Sequence, residues 1–286
     1  MASASLISAQ SAPSGTLFLH GFEVSINGSA PTHFGIDTGT AWDFIIDAAQ
    51  SNRLALPIKG HHTYHTSDIH PETESAAADI VQAKTLTVAG HTFAAPVGLA
   101  ESNHNSSPVA RGVLGITLFR DVLLTLDFPH DRLTISDGEL PPPNGSDIIA
   151  YTTMPDASFK VLQVTPTVPI QLAGQPFSAL LDTGARKSIG EIIVPTAIAA
   201  KLPLGPIEYD TYVGGALGKK YPGYTAKLKG DLVLGDIVVH NPTVVVSDWL
   251  GFIDLAGILN RLSVTIDQRN QRLLITMPPP SPTAEN

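Results

Sequence analysis

The chain contains no cysteine. Disulfides, thiolate nucleophiles and cysteine-ligated zinc are therefore excluded, and the redox compartment stays open because a cysteine-free fold tolerates either condition. Charged residues are scarce at 15%, and their balance is acidic, with a formal net charge of −9. Without a basic excess to neutralise phosphates, nucleic acid is not expected as a partner. No apolar run approaches the roughly 18 residues of a membrane span. Residues 1–15 lack the basic start and apolar stretch of a secretory signal. The sequence reads as a soluble chain with no membrane partner, and it points to no particular compartment. Aromatic residues make up only 6%, whereas there are 24 glycines and 23 prolines. That balance suits many short strands joined by turns, and 286 residues allow two domains of ordinary size.

What stands out against this background is a phrase that occurs twice. Phe34-Gly35-Ile36-Asp37-Thr38-Gly39-Thr40 returns as Ala179-Leu180-Leu181-Asp182-Thr183-Gly184-Ala185. Each copy is an apolar strand running into Asp-Thr-Gly. An aspartate at the end of a buried strand is costly unless its charge is shared, bonded or used. Two such strands in one chain predict two carboxylates meeting in one site.

The surrounding order also repeats. Phe22 to Ile26, a turn at Asn27-Gly28 and a return strand lead into Asp37. Val168 to Leu172, a turn at Ala173-Gly174 and a return strand lead into Asp182. Gly112-Val113-Leu114-Gly115 is expected to be answered by Gly257-Ile258-Leu259-Asn260, at the same offset of 145 that separates the aspartates. Asp127, Arg132, Leu133 and Ile135 then match Asp267, Arg272, Leu273 and Ile275 at an offset of 140. The second copy is thus expected to be five residues shorter and to lose the helical piece after that turn. Short helices are predicted before Pro57 and from Pro195. The resulting plan is a flexible arm (1–15), an N-terminal half (16–136), a Pro/Gly/Ser-rich linker (137–147), a C-terminal half (148–277) and a flexible tail (278–286).

These residues resemble the pepsin and retropepsin group of aspartic proteases, and look most like bacterial tandem retropepsin-type units. The resemblance rests on the two Asp-Thr-Gly phrases and on Val113-Leu114-Gly115, and covers roughly residues 16 to 277. It implies an all-β chain of two related β-barrel lobes with a central cleft. It also implies a peptide or protein substrate, no cofactor, and a monomer, since one chain supplies both acids. Asp37 and Asp182 would be catalytic. Thr38 and Thr183 would bond across the site, and Gly39 and Gly184 would admit close approach. Flaps are expected near residues 60–70 with Tyr64, and near 212–218 with Tyr212, Gly214 and Gly215, although a tyrosine in a strand usually just packs and Gly214-Gly215 would equally make an ordinary turn. Thr40 can donate to Asp37, but Ala185 cannot donate to Asp182. Asp37 is therefore expected to carry the charge, with a mildly acidic optimum.

Plainer readings stand beside these. The Asp-Thr-Gly pair could also belong to a catalytically silent peptide-binding module, the main rival to the peptidase reading. His61 and His65 have helical i, i+4 spacing, which would suit a metal-dependent hydrolase, but no glutamate lies between them as in the zincin pattern. Asp43 reads as a surface charge or local cap, and Asp127 and Asp267 as structural residues of their hairpins with Arg132 and Arg272.

Overall fold

The computed structural model describes residues 2–5, 21–65, 67, 69–70, 72, 75–102, 111–153, 164–184, 191–214 and 219–277. The described chain is mostly β, arranged in two nine-stranded sheets and one six-stranded sheet. The spatial order of the first nine-stranded sheet is Ile58–His65, Ser75–Gln82, Val97–Glu101, Phe44–Asp47, Gly112–Gly115, Thr32–Asp37, Phe22–Ile26, Thr85–Val88, His91–Ala94. The second runs Leu204–Gly214, Lys220–Leu228, Thr243–Ser247, Ile192–Val194, Ile253–Asp254, Gln175–Leu180, Thr167–Leu172, Asp231–Leu234, Ile237–His240. The two orders correspond strand for strand. Both sheets are open among the described residues, because their outermost strands do not pair with each other. The expected closed β-barrels are therefore absent from the described chain.

Local chemistry accounts for most of these elements. Phe22, Val24 and Ile26 alternate inward from their strand, as a half-buried strand requires. Ala89-Gly90 and Ala173-Gly174 make two-residue hairpin turns with positive φ at both positions, the geometry that matches strand twist. Asp47 caps the helix Ala48–Arg53 by accepting from the Ala49 and Gln50 N–H groups. The helix Thr196–Ala199 follows Pro195 directly. One large core cluster runs through both halves, from Phe22, Phe34, Phe44 and Phe119 to Ile193, Val245 and Ile266.

The six-stranded sheet joins the halves. Its order is Ala2–Ser5, Arg132–Ser136, Leu123–Asp127, Ser263–Asp267, Arg272–Thr276, Ile148–Ala150. Ala2–Ser5, within the segment expected as an arm, pairs antiparallel with Arg132–Ser136. At the centre Leu123 faces Asp267 and Asp127 faces Ser263, so the register is symmetric about Thr125 and Thr265. Their hydroxyls meet at 2.8 Å. The linker 137–147 passes beside this sheet without regular structure. The tail 278–286 lies outside the described residues.

One part of the expected repeat is corrected. Ile253–Asp254, not Gly257–Asn260, answers Gly112–Gly115: it lies parallel to Gln175–Leu180 and antiparallel to Ile192–Val194. Gly112–Gly115 sits in the same way between Thr32–Asp37 and Phe44–Asp47. Glycine is required in the first half, where a Cβ on Gly112 or Gly115 would collide with the carbonyl of Ile45 or Trp42. The second half places Ile253 where the first has Gly112, so the glycine text does not recur. The short helix expected to be lost is present as Ala256–Leu259, with Asn260 as its C-cap.

Asp267 shows how the fold keeps a buried acid. It is 0% exposed, and its carboxylate accepts from Leu140 N–H (3.0 Å), Asn270 N–H (3.2 Å) and Asn270 Nδ2 (2.8 Å). Burial alone would favour the neutral form, but these donors and the Arg269 charge outweigh it and hold the acid below the ordinary carboxylate range. A depressed folded-state value contributes stability above the unfolded value and loses it as pH falls through the folded one. Asp267→Asn is therefore expected to destabilise the protein at neutral pH by about 1–3 kcal/mol. The difference should narrow below about pH 4, as thermal melts across that range will show.

Candidate active site

Asp37 ends the strand Thr32–Asp37, level with Gly115 on the neighbouring parallel strand. Asp182 lies two residues beyond the end of Gln175–Leu180. Both strands run inward through apolar residues, Phe34 and Ile36 in one, Ala179 and Leu180 in the other. The chain therefore delivers each acid from the core to the place where the halves meet.

The two loops hold each other through reciprocal bonds. Thr38 N–H donates to Thr183 Oγ1 at 2.9 Å, and Thr183 N–H donates to Thr38 Oγ1 at 2.9 Å. Each hydroxyl then donates onward across the junction, Thr38 to Leu181 O (2.6 Å) and Thr183 to Ile36 O (3.1 Å). Both threonines are buried.

Glycine is needed beside each threonine for a steric reason. A Cβ on Gly39 would lie 2.8 Å from Asp182 Oδ1, and one on Gly184 would lie 2.6 Å from Asp37 Oδ2. Each glycine thus abuts the carboxylate of the opposite half. Asp37 accepts from Gly39 N–H and from Thr40 Oγ1, both at 2.8 Å. Asp182 accepts from Gly184 N–H at 2.8 Å and is hydrogen-bonded to Asp37. Ala185 lies outside the described residues.

The electrostatics are unequal. Burial, then the neighbouring charges of Asp37 and Asp254, push Asp182 well above the ordinary carboxylate range, against a smaller opposing effect of Gly184 N–H. Asp182 is 5% exposed, whereas Asp37 is half-buried. A buried acid that keeps its proton beside a bonded, more exposed one is a pair able to give and take protons together.

The other expected residues are placed less uniformly. The hairpin Ile58–His65 with Ser75–Gln82 forms where the first flap was expected. Tyr64 is not free over a cleft: it is 7% exposed, and its hydroxyl donates to Glu101. Burial and that carboxylate hold the phenol protonated. It packs in a small cluster with Ala78 and Leu99, against Trp42 and Ile45. The tip of this hairpin reaches the other half. Ser67, fully buried, donates to Trp249 O at 2.8 Å, and His70 meets Asp248 O at 2.9 Å while stacking on Tyr221. Beside this contact lies a cavity of about 300 Å³ lined by Thr196, Tyr221, Pro222, Gly223, Tyr224, Val246, Ser247 and Asp248.

In the second half Tyr212 is 65% exposed on the outermost strand, Gly214 closes that strand opposite Lys220, and Gly215 lies outside the described residues. His61 and His65 lie on a strand, so the helical spacing is not realised; His61 instead bonds Asp79. Asp43 is corrected from a surface charge to a buried one, bonded to Val97 N–H and Arg120. Asp127 pairs with His130. Sequence reasoning missed Glu101 and Asp254. Each is an acid that ends an otherwise apolar strand, and that was the available signal.

Removing the Thr38 hydroxyl would strand two buried groups, Leu181 O and Thr183 N–H. Thr38→Val is expected to cost about 1–3 kcal/mol for each, and Thr38→Ser much less. Chemical denaturation of the two variants checks this. The raised Asp182 has the opposite linkage sign to Asp267. As pH rises through about 4, the unfolded state releases this proton before the folded state does, so the group lowers stability at neutral pH. Asp182→Asn is expected to raise the melting temperature at pH 7, with the gain fading toward pH 3.

No curated protein matches the chain. Residues 168–278, which carry Asp182, Thr183, Gly184 and Asp254, match the family model described as aspartyl protease.

Proposed function

We propose that the protein is an aspartic endopeptidase of retropepsin-like type. In this reading residues 16–136 and 148–277 act as two lobes across the linker 137–147, and one chain completes its own site as a monomer. The observation that carries the proposal is the mutual contact of the two Asp-Thr-Gly loops, in which each glycine abuts the other loop's carboxylate and the two acids share a hydrogen bond. The match of residues 168–278 to an aspartyl protease family model supports it from an independent direction.

The proposed chemistry follows from the inequality of the acids. Ionised Asp37 takes a proton from a water molecule as its oxygen bonds to the peptide carbonyl carbon, and protonated Asp182 gives its proton to the carbonyl oxygen. The tetrahedral adduct collapses when the amide nitrogen takes the proton from Asp37, the C–N bond breaks, and a hydroxyl of the adduct returns a proton to Asp182. Thr40 and Gly39 bond the ionised acid throughout. The hairpin that carries Ser67 and His70 covers an extended peptide and excludes water. No metal or organic cofactor takes part.

Cleavage of a peptide library by wild type, Asp37→Asn and Asp182→Asn tests the reading. Each substitution is expected to lower kcat/KM by at least about a hundredfold, with EDTA without effect. A statine-type transition-state mimic should bind far more tightly than substrate. Binding of the mimic with no cleavage by wild type would instead establish the silent peptide-binding module, and loss of activity with EDTA would overturn the two-acid mechanism.

A further inference from the structure

The cavity of about 300 Å³ beside the contact between the first-half hairpin and the second half has a distinct chemistry. Tyr221, Pro222, Tyr224 and Val246 give it an apolar, largely aromatic wall, which Thr196 and Asp248 complete. Asp248 is exposed, its Oδ1 accepts from Thr196 N–H at 2.8 Å, and among the described residues no cationic side chain pairs with it. Ser247 Oγ, on the same wall, is already committed to Pro222 O at 3.1 Å. The volume lies at the small end of ligand pockets, which suits one long side chain. The hairpin shows what this wall accepts. His70 stacks on Tyr221 with ring centroids 4.9 Å apart and 18° between the planes, and its Nε2 lies 2.9 Å from Asp248 O. A carbonyl oxygen only accepts, so that nitrogen carries a proton and donates. A flat group bearing an N–H thus rests on Tyr221 beside the cavity, brought there from the other half.

We infer that this cavity is a recognition pocket for a basic side chain of the peptide substrate, with arginine favoured over lysine. The inference deepens the peptidase reading and rests on it for its catalytic meaning. Carboxylates in contact with water are ionised at neutral pH. An aliphatic side chain in the cavity would cover the Asp248 carboxylate without pairing it, which is costly, and an acidic one would be repelled. An arginine lays its methylene stem along the apolar wall, stacks its guanidinium on a tyrosine ring and bonds the carboxylate through paired N–H groups. A lysine brings the charge but not the plane. The net charge of −9 draws basic peptides toward the chain. Asp248 also has a plainer role. Pro195, at the N-cap of the helix Thr196–Ala199, makes no side-chain cap bond, and Asp248 supplies one to Thr196 N–H. That role needs an acceptor oxygen but no charge, so the two roles separate by substitution.

The test scans a peptide library for residues preferred at a fixed distance from the cleaved bond, then compares matched peptides carrying arginine, lysine or norleucine there. Wild type is expected to favour arginine over norleucine by about tenfold or more in kcat/KM. Asp248→Asn, which keeps an acceptor for Thr196 N–H, should remove most of that ratio with little change in melting temperature. Tyr221→Leu should bring arginine and lysine level. Cleavage with no basic preference, or a preference that survives Asp248→Asn, would overturn the inference and leave Asp248 as a helix cap. Binding is read separately by fluorescence anisotropy, using uncleavable statine peptides with arginine or norleucine at the same place. If no peptide is cut but the arginine form binds about tenfold more tightly and loses that advantage in Asp248→Asn, the peptidase reading fails and the pocket stands.

Discussion

The structure depends on the reciprocal threonine contact at the junction of the two Asp-Thr-Gly loops. Four hydrogen bonds cross there, and every donor and acceptor in them belongs to a buried group that has no water to replace its partner. The contact works only as a pair, since each threonine offers its N–H to the hydroxyl of the other. The glycines follow from the same constraint: once the loops are this close, any side chain beside the threonine would occupy the space of the opposing carboxylate. The six-stranded sheet supplies the scale on which this alignment becomes possible. Its symmetric register about Thr125 and Thr265 fixes the two halves relative to one another before any loop is considered.

Buried aspartates carry opposite meanings in this fold, and donors decide which. Asp267 collects donors from Leu140 and Asn270 and is held ionised. Asp43 has Val97 N–H and Arg120. Asp182 has Gly184 N–H against two neighbouring acids, and it keeps its proton. The first two acids stabilise a hairpin and a strand junction. Asp182 lowers stability at neutral pH, the opposite sign to Asp267.

The Asp-Thr-Gly loops were legible because their chemistry is local, three residues whose roles are set by a strand end and a close approach. The hairpin at Ala173-Gly174 was legible for the same reason. Register between distant strands was not. Gly257-Ile258-Leu259 resembles Gly112-Val113-Leu114 as text, yet the place beside Gln175–Leu180 went to Ile253–Asp254, because pairing and burial set the position rather than composition. Tyr64 could sit over a cleft or simply pack in its strand, and it packs; its hydroxyl meets Glu101, an acid at the end of the strand Val97–Glu101 that no periodic pattern announces. Asp43 was misread, since the strand Val97–Glu101 and Arg120 that enclose it lie far along the chain.

The two acids differ in two separate respects. Thr40 and Gly39 together give Asp37 two hydrogen bonds, and this difference was partly visible as Thr40 against Ala185. On the other half, burial and then the neighbouring acids raise Asp182, and one of those acids, Asp254, stands on a strand whose place only the fold reveals. Two identical acids related by a near-symmetric fold gain distinct roles only if something outside the pair breaks the symmetry. Here a hydroxyl bonds the carboxylate of one half, and burial raises its counterpart in the other.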